Sequence, residues 1–227
     1  MTRRIALEWP DPQPFRGRGR ASIRLLALSD AVDPVFAERR NRDALQPVDL
    51  ILGCGDLDSA ELAFLVDGFD APLLHVFGNH DDPARWTEVA GCPLPMRSTV
   101  VQHGAGLAIA GLGWPGPSGR DAARSETTAW NQAVRLSARR VGRTEPLIVI
   151  SHVPPLGAGD IVDGTFHRGL RAYRWLLDHL RPRLWIHGHT PLAAARDWRL
   201  QVGPTTVINA TGSVLIELRP PRTTTGI

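Results

Sequence analysis

Residues 72–81 read Pro-Leu-Leu-His-Val-Phe-Gly-Asn-His-Asp and join a short apolar run to a polar end. The run over residues 72–77 has the length and composition of a buried strand. It leads directly into Gly78-Asn79-His80-Asp81, which offers an amide, an imidazole and a carboxylate. The same order, an apolar strand followed at once by metal-capable side chains, recurs along the chain and decides the predicted fold.

Four other apolar runs, over residues 23–29, 48–54, 147–150 and 184–186, also end in such side chains. Segments with helical periodicity lie between them, over residues 59–66, 127–140 and 169–180, and Ser59 is a plausible N-cap. This alternation predicts an α/β architecture. Ligands of such sheets collect beyond the carboxyl ends of the strands. One rim is therefore predicted to gather Asp30, Asp56, Asn79, His80, His152, His187 and His189.

Composition favours a single globular domain. The chain has 227 residues, 43% hydrophobic and 22% charged, and we find no repeat and no internal linker. Residues 21–227 are predicted to form the domain, and residues 1–20, rich in Arg, Pro and Gly, an irregular N-terminal arm. Six arginines and two acidic residues in the first 24 give that end most of the basic charge. Such an arm is typical of a solvated segment or of one that touches RNA.

Several classes of protein are excluded or disfavoured. No apolar run approaches the roughly 20 residues that cross a bilayer, so no membrane segment is expected. The two cysteines, Cys54 and Cys92, imply no disulfide framework, and a cytoplasmic location is the default expectation. The chain contains no lysine, which excludes Schiff-base chemistry and the phosphate loop that depends on lysine.

Taken together and in order, Ser29-Asp30, Gly55-Asp56, Gly78-Asn79-His80-Asp81, Ser151-His152 and His187-Gly188-His189 resemble the calcineurin-like metallophosphoesterase superfamily, over roughly residues 23–218. The resemblance implies a four-layer α-β-β-α sandwich, with two mixed sheets flanked by helices and the metal site at the carboxyl ends of the strands. It also implies hydrolysis of phosphate esters by in-line attack of metal-bound hydroxide. A phosphodiester is the favoured substrate, as a small molecule or a nucleotide.

The resemblance also assigns the ligands. It implies two divalent ions, drawn from Mn, Fe, Zn or Ni, which accept mixed oxygen and nitrogen ligands. Asp56 would bridge the ions, because a carboxylate has an oxygen for each. The second ion would be held by Asn79, His152 and His187, and the first by Asp30 and His189. Gly188 has no side chain to obstruct the approach of the two histidines.

Four more residues are candidates for catalysis or substrate binding. By the resemblance, His80 faces the substrate and assists the leaving group, and Asp81 is expected to orient the His80 ring. His167 and Arg168 lie in a Gly-rich stretch before a helix and are candidate substrate contacts, since a guanidinium recognises phosphate oxygens well. Trp114 is expected in an exposed loop, where it would cover a core edge or stack on a nucleobase.

The first motif departs from the family pattern of Asp, any residue, His. Here it reads Asp30-Ala31-Val32, a variant similar to that of a small bacterial group of metallophosphoesterases. Valine cannot bind a metal, so a weaker first site is expected, and Asp33 is a minor candidate to replace the missing ligand. Two alternatives follow: a degenerate protein that binds metal or a partner without turnover, and a nuclease that uses the basic arm.

Overall fold

The structure is a computed structural model that describes residues 2–18, 22–81, 96, 99–103 as backbone only, 107–117, 125–161, 166–195 and 197–221. In this part of the chain two sheets are formed. The first has five strands in the order β1-β11-β2-β3-β4, and the second has six in the order β5-β6-β7-β8-β10-β9. Both are mixed, since parallel pairs such as β2 with β3 and β7 with β8 sit beside antiparallel pairs such as β2 with β11.

The strands are β1 Arg3–Glu8, β2 Ile23–Ser29, β3 Leu50–Cys54, β4 Leu73–Val76, β5 Thr99–His103, β6 Leu107–Leu112, β7 Leu147–Ser151, β8 Leu184–His187, β9 Arg199–Val202, β10 Thr205–Asn209 and β11 Gly212–Arg219. The α-helices are α1 Arg39–Asp43, α2 Ser59–Phe69, α3 Glu126–Arg140 and α4 Arg171–Leu180. Among the helices that the structure describes, none is long and apolar enough to cross a bilayer.

The strands are apolar along their length because both of their faces are buried. Ile148 and Ile150 of β7 pack against the other sheet, while Leu147 and Val149 pack beneath the helices. Helices α3 and α4 cover the second sheet, and α2 covers the first. The resulting order of layers is helix, sheet, sheet, helix, which confirms the predicted four-layer sandwich with two mixed sheets.

The N-terminal segment differs from the prediction. An irregular arm was expected over residues 1–20, but Arg3–Glu8 is an edge strand paired in parallel with β11. Ile5 and Trp9 are buried, and Leu7 packs against the core between the sheets. Their alternation is the period of a strand with one face buried. This alternating burial decides the local structure, although the Arg, Pro and Gly content had predicted an irregular segment. Residues 19–21 of the predicted arm lie outside the described part of the chain.

The start of α2 also differs by one residue from the prediction. Asp58, not Ser59, is the N-cap: its side chain accepts the backbone N–H of Glu61, and the Glu61 side chain accepts the N–H of Asp58. This reciprocal pair satisfies two backbone donors that a helix start leaves without partners. The cap fixes the chain two residues beyond Asp56, at the rim where the polar side chains converge.

Candidate metal centre

The carboxyl ends of the strands bring acidic and imidazole groups from distant parts of the chain together. Asp30 follows β2, Asp56 follows β3 and His152 follows β7. One ligand atom from each of these three residues lies within 4.8 Å of the others. β2 and β3 are parallel neighbours in the first sheet and β7 belongs to the second, so the carboxyl ends of strands from both sheets meet at this rim.

The backbone at this rim adopts an uncommon conformation. Asp30, Asp56 and His189 have φ angles of 66°, 56° and 65°, in the left-handed region that costs a non-glycine residue about 1–3 kcal/mol. Each residue lies one or two positions beyond the end of its strand, where the left-handed conformation turns the chain sharply. The surrounding hydrogen bonds hold that conformation in place, and such strain concentrates at functional sites.

The His152 ring is fully buried and presents a lone pair to the rim. Its Nδ1 lies 2.9 Å from the Cys54 carbonyl oxygen, which only accepts, so Nδ1 carries the hydrogen and Nε2 of the neutral ring carries none. Around Nε2 lie Asn79 Oδ1 at 3.0 Å and Asp56 Oδ2 at 3.3 Å. Both neighbours are oxygen atoms that accept hydrogen bonds.

His189 adds a fourth acceptor. Its Nε2 lies 2.9 Å from the Phe166 carbonyl oxygen and therefore carries the hydrogen. Its Nδ1 consequently presents a lone pair, 3.2 Å from Nε2 of His152. With both imidazoles neutral, four acceptors face one another with no hydrogen to share. Such an arrangement is repulsive without a cation and is the arrangement that a cation satisfies.

The spacing of these atoms fits a metal ion. Ligands bound at about 2.1 Å in octahedral or tetrahedral geometry lie roughly 3.0–3.4 Å from one another. The distances from Nε2 of His152 to its three neighbours run from 3.0 to 3.3 Å. Two oxygen and two nitrogen atoms form a donor set that suits Mn, Fe, Zn or Ni. The residues present therefore fit a divalent ion.

When no metal ion is bound, a proton on His152 takes the place of the cation among these acceptors. Burial opposes a charge on His152, but the Asp56 carboxylate outweighs it and raises the pKa of His152 to about 9. Burial, together with the charge of His152, lowers the pKa of His189 to about 4. Burial would raise the pKa of Asp56, but His152 and the His80 N–H bring it below its ordinary value. A proton and a metal ion thus compete for the same lone pair on His152.

The His187 ring makes no hydrogen bond or ring contact with the four residues of this cluster, and its buried Nε2 has no hydrogen-bond partner in the described part of the chain. It ends β8, on the face that carries Trp185 and the helices, because Leu184 and Ile186 occupy the face between the sheets. Its Nδ1 donates to the Gly188 carbonyl at 2.9 Å, and burial lowers its pKa to about 4. Its Nε2 is buried beside Gly159, where an added Cβ would come within 2.3 Å of that atom. The sequence interpretation placed His187 with His152; in the structure His189 stands there.

Asp30 is held at the rim by residues that follow the strands β8 and β10. Its Oδ2 accepts the His189 N–H at 3.1 Å and the Thr211 hydroxyl at 3.0 Å. Gly188 must be a glycine, since a Cβ there would lie 1.8 Å from Ser29 Oγ and 2.7 Å from Asp30 Oδ2. The absence of a side chain at Gly188 therefore makes room for Ser29 and Asp30. The sequence interpretation expected that room to serve the two histidines instead.

Val32 and Asp33, the two residues considered for the first-ion site, have other roles. Val32 packs against the apolar cluster between the first sheet and α2. Asp33 caps the short 3₁₀ helix Pro34–Ala37, where its Oδ1 accepts the Val35 N–H at 3.1 Å. In the described part of the chain, Asp30 and the shared Asp56 are therefore the rim carboxylates on that side.

His80 stands at the open edge of the cluster. Its side chain is 50% exposed, and its Nε2 lies 3.8 Å from Asp56 Oδ2. Its backbone N–H donates to Asp56 Oδ1 at 2.8 Å. Asp81 was expected to orient the His80 ring; instead its Oδ2 accepts the backbone N–H groups of Asp56 at 2.8 Å and Gly78 at 2.7 Å. Asp81 thus ties the loop after β3 to the loop after β4.

Aromatic groups flank the cluster on one side. The Trp114 ring lies 5.8 Å from the His189 ring and 6.3 Å from the His152 ring, between centroids. The His167 ring lies 5.3 Å from that of His189, which brings this predicted substrate contact to the site. Arg168 is exposed, and no contact of its side chain with the cluster is described.

Three contributions at this site were not foreseen from the sequence. The carbonyl groups of Cys54 and Phe166 fix the tautomers of His152 and His189, and the Thr211 hydroxyl holds Asp30. Backbone carbonyls carry no side-chain signal, so no sequence pattern reveals them. Thr211 follows the strand β10, and its position after an apolar run is the one signal that would have pointed to it.

The fold and site define a class of protein: a two-sheet α/β sandwich with carboxylate, amide and imidazole ligands at the carboxyl rim. The family model of calcineurin-like phosphoesterases matches residues 23–193, and the chain belongs to that family. Membership supports, in general terms, a metal-dependent phosphoesterase.

Solved structures share the fold. The crystal structure of TT1561 from Thermus thermophilus is 19% identical with a TM-score of 0.60, and the match covers 84% of this chain and 89% of that one. A dimetal phosphatase from Danio rerio is 12% identical with a TM-score of 0.52, over 84% of this chain and 87% of that one. No match was found among curated protein sequences.

Proposed function

We propose that the protein hydrolyses phosphodiesters whose leaving group is an aryl alcohol or a nucleoside. The observation that supports this proposal is the group of four acceptors around Nε2 of His152, beside the half-exposed ring of His80. The first feature is a place for a cation that binds phosphate oxygens. The second is an imidazole that an incoming ester can reach.

A divalent ion would be held by Asp56, Asn79, His152 and His189. When bound, it supplies a Lewis acid that polarises the phosphate oxygens and lowers the pKa of a water molecule. The chain's own contribution is the charge of the pocket. Asp56 is the one carboxylate among the four ligands, so these ligands balance only one of the two charges of the ion, which leaves the ion able to attract a phosphodiester oxygen; the nearby Asp30 carboxylate offsets part of that attraction.

His80 is positioned to move a proton. Its backbone is fixed by the N–H bond to Asp56, while the ring projects into solvent beside the metal pocket. A protonated Nε2 there donates to the oxygen of the departing alcohol, and the ester bond breaks without forming a free alkoxide. Asp81 acts through the backbone, since it holds the loops that carry Asp56 and His80 in register.

Trp114 supports the preference for an aromatic alcohol. The Trp114 indole is fixed by its own Nε1–H bond to the Pro117 carbonyl at 3.0 Å. The residue before it is also fixed, because the Gly113 carbonyl accepts hydrogen bonds from the Gln132 side chain at 3.1 Å and from the Tyr173 hydroxyl at 3.3 Å. A rigid ring beside the metal pocket provides a surface on which an aryl group or a nucleobase stacks at little entropic cost.

The first test is a panel of phosphate esters assayed with Mn, Fe, Zn, Ni and Mg. The wild type is expected to hydrolyse bis-p-nitrophenyl phosphate and nucleotide diesters better than alkyl diesters or monoesters. Trp114→Ala is expected to lower kcat/KM for the aromatic diesters by about 5–100-fold, mainly through KM, because one stacked ring is lost. Alkyl diesters should be affected by less than about threefold.

Trp114→Phe serves as the matched control, since it keeps a ring, and it should retain most of the preference. A parallel loss on alkyl and aromatic diesters in Trp114→Ala would contradict the stacking role but not the phosphodiesterase activity. Absence of turnover by the wild type with each metal would contradict the activity itself.

We also propose that the pocket holds one ion tightly and a second weakly. The four acceptors around His152 form one complete donor set, whereas the other side has Asp30 and the shared Asp56, with Val32 turned into the apolar cluster. After dialysis against a chelator, one ion per chain is expected by emission spectroscopy. Asp30→Ala should keep that ion. Two retained ions, or loss of the ion in Asp30→Ala, would refute the proposal.

The weak first position is also the observation that favours a second candidate function, a metal-binding protein with little turnover. The ester panel decides between the two. The nuclease alternative has less support, because the basic segment is attached to the domain: Arg18 forms an ion pair with Asp49, and the Arg3 guanidinium donates to the Asn209 carbonyl at 2.9 Å and stacks over Trp198. Neither arginine is available as part of a free arm.

A further inference from the structure

A cavity of about 410 Å³ lies at the opposite end of the second sheet from the metal centre. It opens between the α3–β7 connection, the α4–β8 connection and the turn at Pro204, and Leu147 at the start of β7 lines it. His152 follows the other end of β7, a strand of five residues, so the two places lie roughly 16 Å apart. The cavity is therefore separate from the site described above.

Basic side chains dominate this cavity. Four arginines line it, together with one glutamate and one histidine; these are Arg140, Arg143, Arg181, Arg183, Glu145 and His179. Arg140 forms an ion pair with the glutamate, since its Nη1 lies 2.6 Å from Glu145 Oε1 and its Nη2 donates to the Glu145 carbonyl at 2.6 Å. Glu145 also attracts Arg143, so among the residues that line the cavity one carboxylate faces four arginines, and three positive charges remain unbalanced.

The partial negative charges at the ends of two helices account for part of this positive charge. Helices α3 and α4 end at this side, at Arg140 and Leu180, and the carboxyl end of a helix carries about half a negative charge. Two such ends offset about one positive charge. Three arginines therefore leave a surplus of about two, which the fold itself does not require.

The shape and the chemistry of the cavity define a class of ligand. Its volume falls within the range of about 300–1,000 Å³ that is usual for small-molecule sites. Guanidinium groups bind phosphate oxygens through paired N–H donors. Thr144 also lines the cavity, as do Pro10, Pro146 and Pro204, whose fixed φ angles make these parts of the wall stiff.

We propose that this cavity, the arginine pocket, binds a small phosphorylated molecule that carries at least two negative charges. Arg143, Arg181 and Arg183 would hold its phosphate groups. Arg183 has its own weak bonds, to the Pro204 carbonyl at 3.3 Å and the Glu8 carbonyl at 3.5 Å, which place its guanidinium at the wall. The inference stands independently of the phosphodiesterase activity, because no residue of the metal centre takes part.

The test is titration calorimetry on the full chain after removal of metal, so that the metal centre does not capture the probe. Pyrophosphate and ADP are the probes, at low salt, since screening weakens exposed charge pairs. Both are expected to bind at one site. Arg143→Gln and Arg181→Gln are each expected to weaken binding by about tenfold or more, because each removes a charge-assisted contact.

Arg135→Gln is the matched control: Arg135 is an exposed arginine of α3 that does not line the pocket, and its loss should change the affinity by less than about twofold. Thermal melting checks that all three variants fold. Absence of binding by the wild type would overturn the proposal, as would equal effects of all three substitutions. Tighter binding of a single-stranded oligonucleotide, lost in the same two variants, would also overturn it in favour of a nucleic-acid surface.

Discussion

Replacing His80 with alanine is expected to lower kcat on a phosphodiester by about 10²–10⁴-fold and to leave the bound metal in place. The reason is the position of the ring, which is half exposed and 3.8 Å from Asp56 Oδ2, beside the four acceptors but not among them. Removing the ring takes away a proton donor for the leaving group. The measurement is kcat for a series of diesters, together with metal content by emission spectroscopy.

The series of leaving groups makes this prediction specific. A proton donor matters most when the departing alcohol is a weak acid, so the loss should be larger for an alkyl diester than for bis-p-nitrophenyl phosphate. His80→Gln keeps a hydrogen-bond donor but does not titrate, and it should recover little activity. His179→Ala, in the exposed last turn of α4, should be unaffected. An equal loss for every leaving group would show that His80 only binds phosphate.

The rim could be foreseen because the strands that build it are buried on both faces. In β7, residues 147–150 are apolar without interruption, since two face the other sheet and two face the helices. Such a run followed at once by Ser151-His152 marks both the strand and its carboxyl end. The same reasoning located Asp30, Asp56 and Asn79, which the structure places at one rim.

The same burial hides which way the last residue of a strand points. Leu184, Trp185 and Ile186 are all apolar, so the alternation between the two faces of β8 leaves no trace in the sequence. The direction of His187 depends on that alternation. The left-handed φ of His189 places its ring beside His152. This conformation depends on hydrogen bonds to distant residues, so it too cannot be predicted from the sequence.

The N-terminal segment shows the converse difficulty. Arg3–Glu8 has a strand pattern on one face only, through Ile5 and Leu7, and Arg3 and Arg4 make its composition basic. The strand exists because the edge of β11 is available for pairing, and that edge is formed by residues more than 200 positions away. The composition of residues 1–20 alone could not predict that a strand so far along the chain would pair with this segment.

Exchanging His189 for alanine is expected to weaken binding of the tight ion by about 100-fold or more, whereas His187→Ala is expected to change it by less than about tenfold. In the structure, Nδ1 of His189 lies 3.2 Å from Nε2 of His152, and Nε2 of His187 faces Gly159. Only the first substitution removes a member of the acceptor group. The measurement is equilibrium dialysis with Mn or Zn.

His187→Ala has a different expected cost. The ring is fully buried at the end of β8, so its removal leaves a void and should reduce the free energy of unfolding by about 1–3 kcal/mol. His189→Ala should reduce the free energy of unfolding of the metal-free protein by less than His187→Ala does, since the His189 ring is partly exposed. Chemical denaturation without metal separates the two effects. A folded His187→Ala protein that has lost the ion would restore His187 as a ligand, and an ion retained at full affinity in His189→Ala would remove His189 from the metal pocket.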